Sequence, residues 1–316
     1  MLIGAILNLF FLKLFYNRIC FSGQIQIRHL DTTELRPLFS LGWKIYVLQL
    51  TSALSQRVDP LIISRYFSTA GVALYQPAQK LVNSISPLVL ILSTQLTPFT
   101  TRYHVDNQED KQKKILFLST RYTLLLGILF YGAVIIFAEP FSRLWLMDSL
   151  GDGYIVVSKI MQLSSIVLLL NATGGIHFSI LMAQKKINFA IGLNIPFALS
   201  NIALSIFLVG YTSLGIIGVF VGTIISSTIR RPIYIWYIAK VTKAGTLTYW
   251  IKSYFPTLLF SLVIVLPGIF ILNQIHLSSW WHLFIGGAIY GICAGIILLI
   301  IERKLVLKIF HKVVKK

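Results

Sequence analysis

The chain has 316 residues, 56% of them hydrophobic and only 12% charged, with a mean hydropathy of +0.79. A soluble domain carries about 25% charged residues, so this balance is wrong for a surface in water and right for one in lipid. The formal net charge is +18, from 28 Lys and Arg against 10 Asp and Glu. Where those cations fall decides whether they answer to nucleic acid or to a membrane.

A helix needs roughly 20 mostly apolar residues to cross the hydrocarbon. Nine stretches qualify, at approximately 1–16, 38–65, 72–101, 115–138, 155–182, 189–209, 215–239, 253–273 and 282–301. The first is uncharged through Leu12 and no small-residue cleavage site follows, so it reads as a retained helix. Connections are brief, and none is long enough to fold as a separate domain. Cys20 and Cys293 are too few and too far apart for a disulfide framework or a zinc site.

The cations alternate from connection to connection. Arg18, Arg28 and Arg36 lie on one side with Arg102, Lys111, Lys113 and Lys114. Lys185, Lys186, Lys240, Lys243, Lys252 and the tail from Arg303 to Lys316 join them, leaving Arg65 and Arg143 on the other side. By the positive-inside rule the rich side is cytoplasmic, which puts the N-terminus outside and the C-terminus in the cytoplasm. The basicity is topological, and no nucleic-acid partner is expected. In the tail Glu302–Lys316, Val306, Ile309, Phe310 and Val313 oppose a lysine-rich side. That pattern suits anionic lipids at the cytoplasmic face, or a solvated tail that only fixes topology.

Several spans carry polar stripes. Gln49, Ser52, Gln56 and Asp59 share one helix face, as do Gln76, Gln79, Lys80 and Asn83, continued by Thr94 and Thr97. Asn194, Asn201 and Ser205 align, and so do Thr223, Ser226, Ser227 and Arg230. Such stripes are expected to face a polar cavity or each other. Counted from a turn near Thr69, Asp59 and Lys80 come to one depth, where they can pair or serve an anionic ligand separately. Lys13, Lys44 and Lys159 are placed to snorkel, and Arg121 and Arg231 can do the same. Arg57, Lys80 and Arg230 are harder to dismiss. Pro60, Pro77, Pro87 and Pro98 predict kinks, and Asn171, Gly174 and Gly175 predict a loosened fifth span. Gly287, Gly291 and Gly295 predict a close helix contact in the last span.

The six histidines show no metal spacing, and no nucleotide or nucleophile motif occurs, so neither an enzyme nor a cofactor is expected. The acids Glu139, Asp148 and Asp152 of the external segment 139–154 read as solvated loop residues.

Five runs carry a family resemblance: SALSQRVDPLIISRYFSTAGVALYQPAQKLVN, QLTPFTTRYHVDNQEDKQKK, FAEPFSRLWL, SILMAQKKINFAIGLNI and SLGIIGVFVGTIIS. In their order over residues 38–240 they resemble the polysaccharide-transporter and oligosaccharide-flippase branch of the MOP exporter superfamily, relatives of the O-antigen flippases. The resemblance implies an all-α polytopic membrane protein of about nine transmembrane helices, one six-helix lobe with flanking helices. Residues 1–37 would be the last helix of a truncated first lobe and a cytoplasmic linker. Residues 38–240 would be the lobe itself, and 241–316 two peripheral helices and a basic tail.

The resemblance further implies a multi-pass protein of the bacterial inner membrane, flipping a polyprenyl-diphosphate-linked oligosaccharide by alternating access. Such work belongs to surface polysaccharide (lipopolysaccharide O-antigen) biosynthesis, alongside other polysaccharide-assembly membrane proteins. Arg57, Lys80, Arg121, Arg230, Gln49, Gln76, Asn83 and Asn201 are the substrate-binding candidates, and Asp59 the coupling candidate. A cation-coupled multidrug exporter would be expected to hold more intramembrane acids. A membrane glycan polymerase would be expected to hold acids or histidines in a larger external loop.

Overall fold

Long apolar runs leave each span unable to satisfy its backbone in lipid except as a helix, and helices are what form. The computed structural model describes residues 32–272 and 277–302, all-α apart from turns and one π-helical stretch. The stretch 1–16, Cys20 and the tail from Arg303 onward lie outside the described residues. Two compact units divide the chain, Met1–Tyr46 and Val47–Lys316. Of the first, residues 32–46 are helical, with Trp43 and Tyr46 stacked at 6.0 Å between ring centroids. The packing described below is that of the second unit.

The helical run Thr32–Gln95 is broken at Ser68, whose φ of 59° and ψ of −168° are not helical. We therefore describe α1 (32–67) and α2 (69–95). The break falls at Ser68 and not at a proline: Pro60, Pro77 and Pro87 are carried within helix. Pro98 instead opens α3, Thr97–Val105, where the first turn has no use for its missing N–H. Next comes α4, Glu109–Leu150, with Glu109 and Asp110 at its positive end and Gly151 beyond its last turn at φ +52°. Because α4 runs on through Pro140, most of the expected external segment 139–154 is helix, although Glu139, Asp148 and Asp152 are exposed.

The fifth span is split, as its Asn and glycines predict, into α5, Gly153–Asn171, and α6, Gly174–Ala183. Two further long helices are α7, Ile187–Tyr211, and α8, Ile217–Val241. A short α9, Thr246–Tyr249, leads through the π-helical Trp250–Tyr254 into α10, Phe255–Leu272. Last is α11, Trp280–Ile301, begun by Ser279, whose side chain accepts from the His282 backbone N–H.

Six of these stretches are long and apolar enough to cross a membrane: Leu35–Val105, Glu109–Leu150, Gly153–Ala183, Ile187–Tyr211, Thr246–Phe270 and Trp280–Ile301. The protein is thus largely membrane-spanning, with about six such helices against the nine expected. The difference has physical reasons. Two expected spans merge in Leu35–Val105, Arg230, Arg231 and Lys240 weigh on the hydropathy of α8, and the first expected span is not described.

The main core joins Ile62 and Ile63 to Tyr75, Ala78 and Val82 of α2, Tyr131 of α4, Val157 and Ile160 of α5, and Phe220 of α8. Polar ties reinforce it: Gln79 donates to Ser164 Oγ at 2.8 Å, and the Tyr131 hydroxyl to Ser86 Oγ at 3.1 Å.

The connections gather at two ends. At one, Lys243 Nζ meets Glu109 at 2.6 Å, Gln184 donates to Gln112 at 3.2 Å, and the Tyr122 hydroxyl reaches Glu302 at 3.0 Å. At the other, Arg143 donates to the Leu277 carbonyl at 2.7 Å, and a Cβ on Gly71 would lie 3.4 Å from Ile216. The first end collects the cation-rich connections and the second the poor ones. That separation is seen for the connections among the described residues.

Gly287, Gly291 and Gly295 do not make the expected close contact. Among the described residues nothing lies within 4 Å of where their Cβ atoms would stand. The face of α11 that packs is the adjoining one, through Gly286 against Phe137 and the fully buried Ala294.

Candidate functional site

The break between α5 and α6 leaves Asn171 as the last residue of α5, and α8 packs across that point. Asn171 Nδ2 is committed, donating to the Val167 carbonyl at 2.8 Å and to Ser227 Oγ at 3.1 Å. Its Oδ1 therefore faces the other way. There it accepts from Arg230 Nη2 and from Arg231 Nη2, each at 2.9 Å. Arg230 Nη1 also reaches Asn194 Oδ1 of α7 at 3.4 Å.

Two guanidinium groups thus converge on one amide oxygen. Neither forms an ion pair with an acid among the described residues. Each guanidinium carries five N–H donors, so most of the ten are left over, and both Nε atoms are buried without a partner. Gly174 makes room, since a Cβ there would sit 3.3 Å from Arg231 Nη2. Two adjacent positive charges in a low-dielectric interior repel each other and have lost hydration. The group that restores the balance is an anion with several acceptor oxygens.

Behind the arginines stands a neutral polar chain. The Tyr249 hydroxyl is hydrogen-bonded to Thr120 at 2.7 Å and to His177 Nε2 at 2.8 Å, with His177 stacked on Tyr234 at 6.1 Å. Arg231 lies within Coulombic reach of Tyr234, Tyr249 and Tyr254.

The sequence candidates fall into separate groups. Arg230 is half-buried in the cluster, while Arg231, expected to be able to snorkel, is drawn inward beside it. Asn201 is 8% exposed with its Oδ1 unpaired. The stripes on α7 and α8 largely satisfy each other: Ser205 donates to the Val219 carbonyl at 3.4 Å and Ser226 to the Phe197 carbonyl at 3.1 Å. By contrast Gln49, Arg57, Gln76, Lys80 and Asn83 are exposed, and Arg230 hydrogen-bonds instead to Asn171 and Asn194.

Asp59 is half-buried, and among the described residues it makes no ion pair, with Lys80 or any other cation. The reason is the turn: measured from Ser68, Lys80 sits about three residues, or roughly 4.5 Å, deeper than Asp59. Arg121 is paired with Glu302 at 2.5 Å, away from the cluster and with side chains 23% and 14% exposed. Asn171 and Arg231 are the site residues that sequence reasoning missed. The signal for them was an amide at the end of an apolar run beside two glycines, and a second arginine next to the first.

Among the described residues no group of three or more His, Cys, Asp or Glu could hold a metal ion. Residues 1–120 match a family model described as polysaccharide biosynthesis protein. The fold resembles that of the lipid II flippase MurJ solved in an inward closed conformation, with a TM-score of 0.64 at 20% sequence identity. That match covers 94% of this chain and 60% of the flippase, so the chain spans less than two thirds of the protein it resembles. No curated protein matches the chain.

Proposed function

We propose that this chain serves the flipping of a lipid-linked sugar across the bacterial inner membrane, specifically a polyprenyl-diphosphate-linked oligosaccharide destined for surface polysaccharide. The observation that carries the reading is the Arg230–Arg231 pair on Asn171, with no ion-paired carboxylate among the described residues. A diphosphate supplies what two guanidiniums lack, namely negative charge and several acceptors in bidentate geometry. The fold shared with a lipid II flippase and the polysaccharide-biosynthesis match over residues 1–120 agree with that class of cargo.

In this reading residues 38–240 are the transporter lobe. Residues 1–37 are a preceding helix and linker, and 241–316 a peripheral pair of helices with a basic tail. The exposed residues Gln49, Arg57, Gln76, Lys80 and Asn83 meet the sugar, Asn201 supports from within, and Asp59 couples transport to an ion or proton. The cation-rich end faces the cytoplasm, the C-terminus lies there and the N-terminus outside. Arg121, held by Glu302, stands apart from the cargo.

The test replaces both arginines by glutamine (R230Q/R231Q) in a cell whose surface glycan depends on this protein. Surface glycan should fall at least tenfold at unchanged protein level, with lipid-linked precursor accumulating inside. Normal export by the double variant would overturn the reading.

A further inference from the structure

A second set of cations sits at the charge-rich end, where α4 meets the start of α10. A cavity of about 550 Å³ opens there, with Lys113, Lys114 and Arg121 from α4 and Lys252 from the π-helical stretch around it. Two acids lie against these four cations. Asp110 pairs with Lys113 at 3.3 Å, and Glu302 with Arg121 at 2.5 Å. Lys114 and Lys252 have no acidic partner among the described residues. Arg121 Nε is buried without a hydrogen bond, and Lys252 Nζ stands 5.7 Å from the Phe117 ring centroid.

The remaining walls are apolar, formed by Phe117, Leu118, Ile251 and Pro256. On the same stretch Trp250, Ile251 and Phe255 are 43%, 55% and 55% exposed. A tryptophan flanking an apolar helix face marks the level of the lipid headgroups. At that level the cavity offers surplus positive charge beside apolar surface. A soluble anion has no use for the apolar walls, and a neutral lipid none for the charge.

We propose that this groove binds the phosphate head of an anionic membrane lipid, Lys114 and Lys252 contacting the phosphate and the acyl chains descending past Ile251 and Pro256. The site is separate from the arginine pair and does not depend on the transport reading.

The full chain is placed in nanodiscs containing trace spin-labelled phosphatidylglycerol or phosphatidylcholine, and the motionally restricted fraction of each label is measured. The anionic lipid should be retained about threefold or more over the zwitterionic one. K114Q/K252Q should abolish that preference without changing the thermal midpoint, both side chains being exposed, whereas R230Q/R231Q should keep it. Equal retention of the two lipids, or a preference that survives K114Q/K252Q, would overturn the proposal. So would displacement of the lipid by inorganic phosphate beyond that by chloride at equal ionic strength, since the occupant would then be a free anion.

Discussion

Asn171 decides the character of the site at the residue scale. An amide oxygen holds two guanidiniums in place without cancelling their charge, which a carboxylate would do. N171D should therefore raise the stability of the protein by about 1–3 kcal/mol, its charge-assisted hydrogen bonds to both arginines outweighing the lost donation to the Val167 carbonyl. The same substitution should cut glycan export at least tenfold, because the new carboxylate occupies the position assigned to the cargo anion. N171L removes the acceptor altogether and should cost about 3–5 kcal/mol, as breaking a buried charged arrangement does. Thermal unfolding in detergent and surface glycan measured together check both signs. N171D with raised stability and intact export would make the arginine pair purely structural. Arg230 was legible in the sequence because it shares a stripe with Ser226 and Ser227. Arg231 lies off that stripe, and Asn171 is distant in sequence, so their meeting was not.

Glycines show what a helix can and cannot reveal about its own neighbours. A Cβ on Gly222 of α8 would stand 3.1 Å from Ser205 Oγ and 3.2 Å from the Ser205 backbone nitrogen on α7. Gly287, by contrast, faces open space. G222L should destabilise the protein by about 1–3 kcal/mol through overpacking, since backbone yields little. G287L should leave the thermal midpoint unchanged, and a loss as large as that of G222L would show a helix seated there. A four-residue glycine period is the same string of letters on a lipid-facing helix side and on a packed one. The period is visible in sequence, but which side meets a partner is set by the other helices.

At the scale of the whole molecule, connections rich and poor in cations separate to opposite ends, tied by Lys243–Glu109 at one and Arg143–Leu277 at the other. This separation predicts labelling. With Cys20 and Cys293 replaced by serine, K185C should react with a membrane-impermeant thiol reagent only after permeabilisation. M147C should react in intact cells, where the 52% exposed Met147 is at the charge-poor end. Labelling of both from one side would break the topology.

Composition and charge order by themselves determined a membrane protein built of helices and the grouping of its connections, because lipid penalises unpaired backbone and the cytoplasmic side gathers Lys and Arg. Those are properties each segment carries alone. Which polar residues would meet was decided only by tertiary structure. The turn at Ser68 left Lys80 out of step with Asp59, and the break after Asn171 gave both arginines one oxygen. Such contacts depend on how far a turn shifts one helix along another, and a displacement of one helical turn, about 5.4 Å, exchanges every partner while changing no pattern in the sequence.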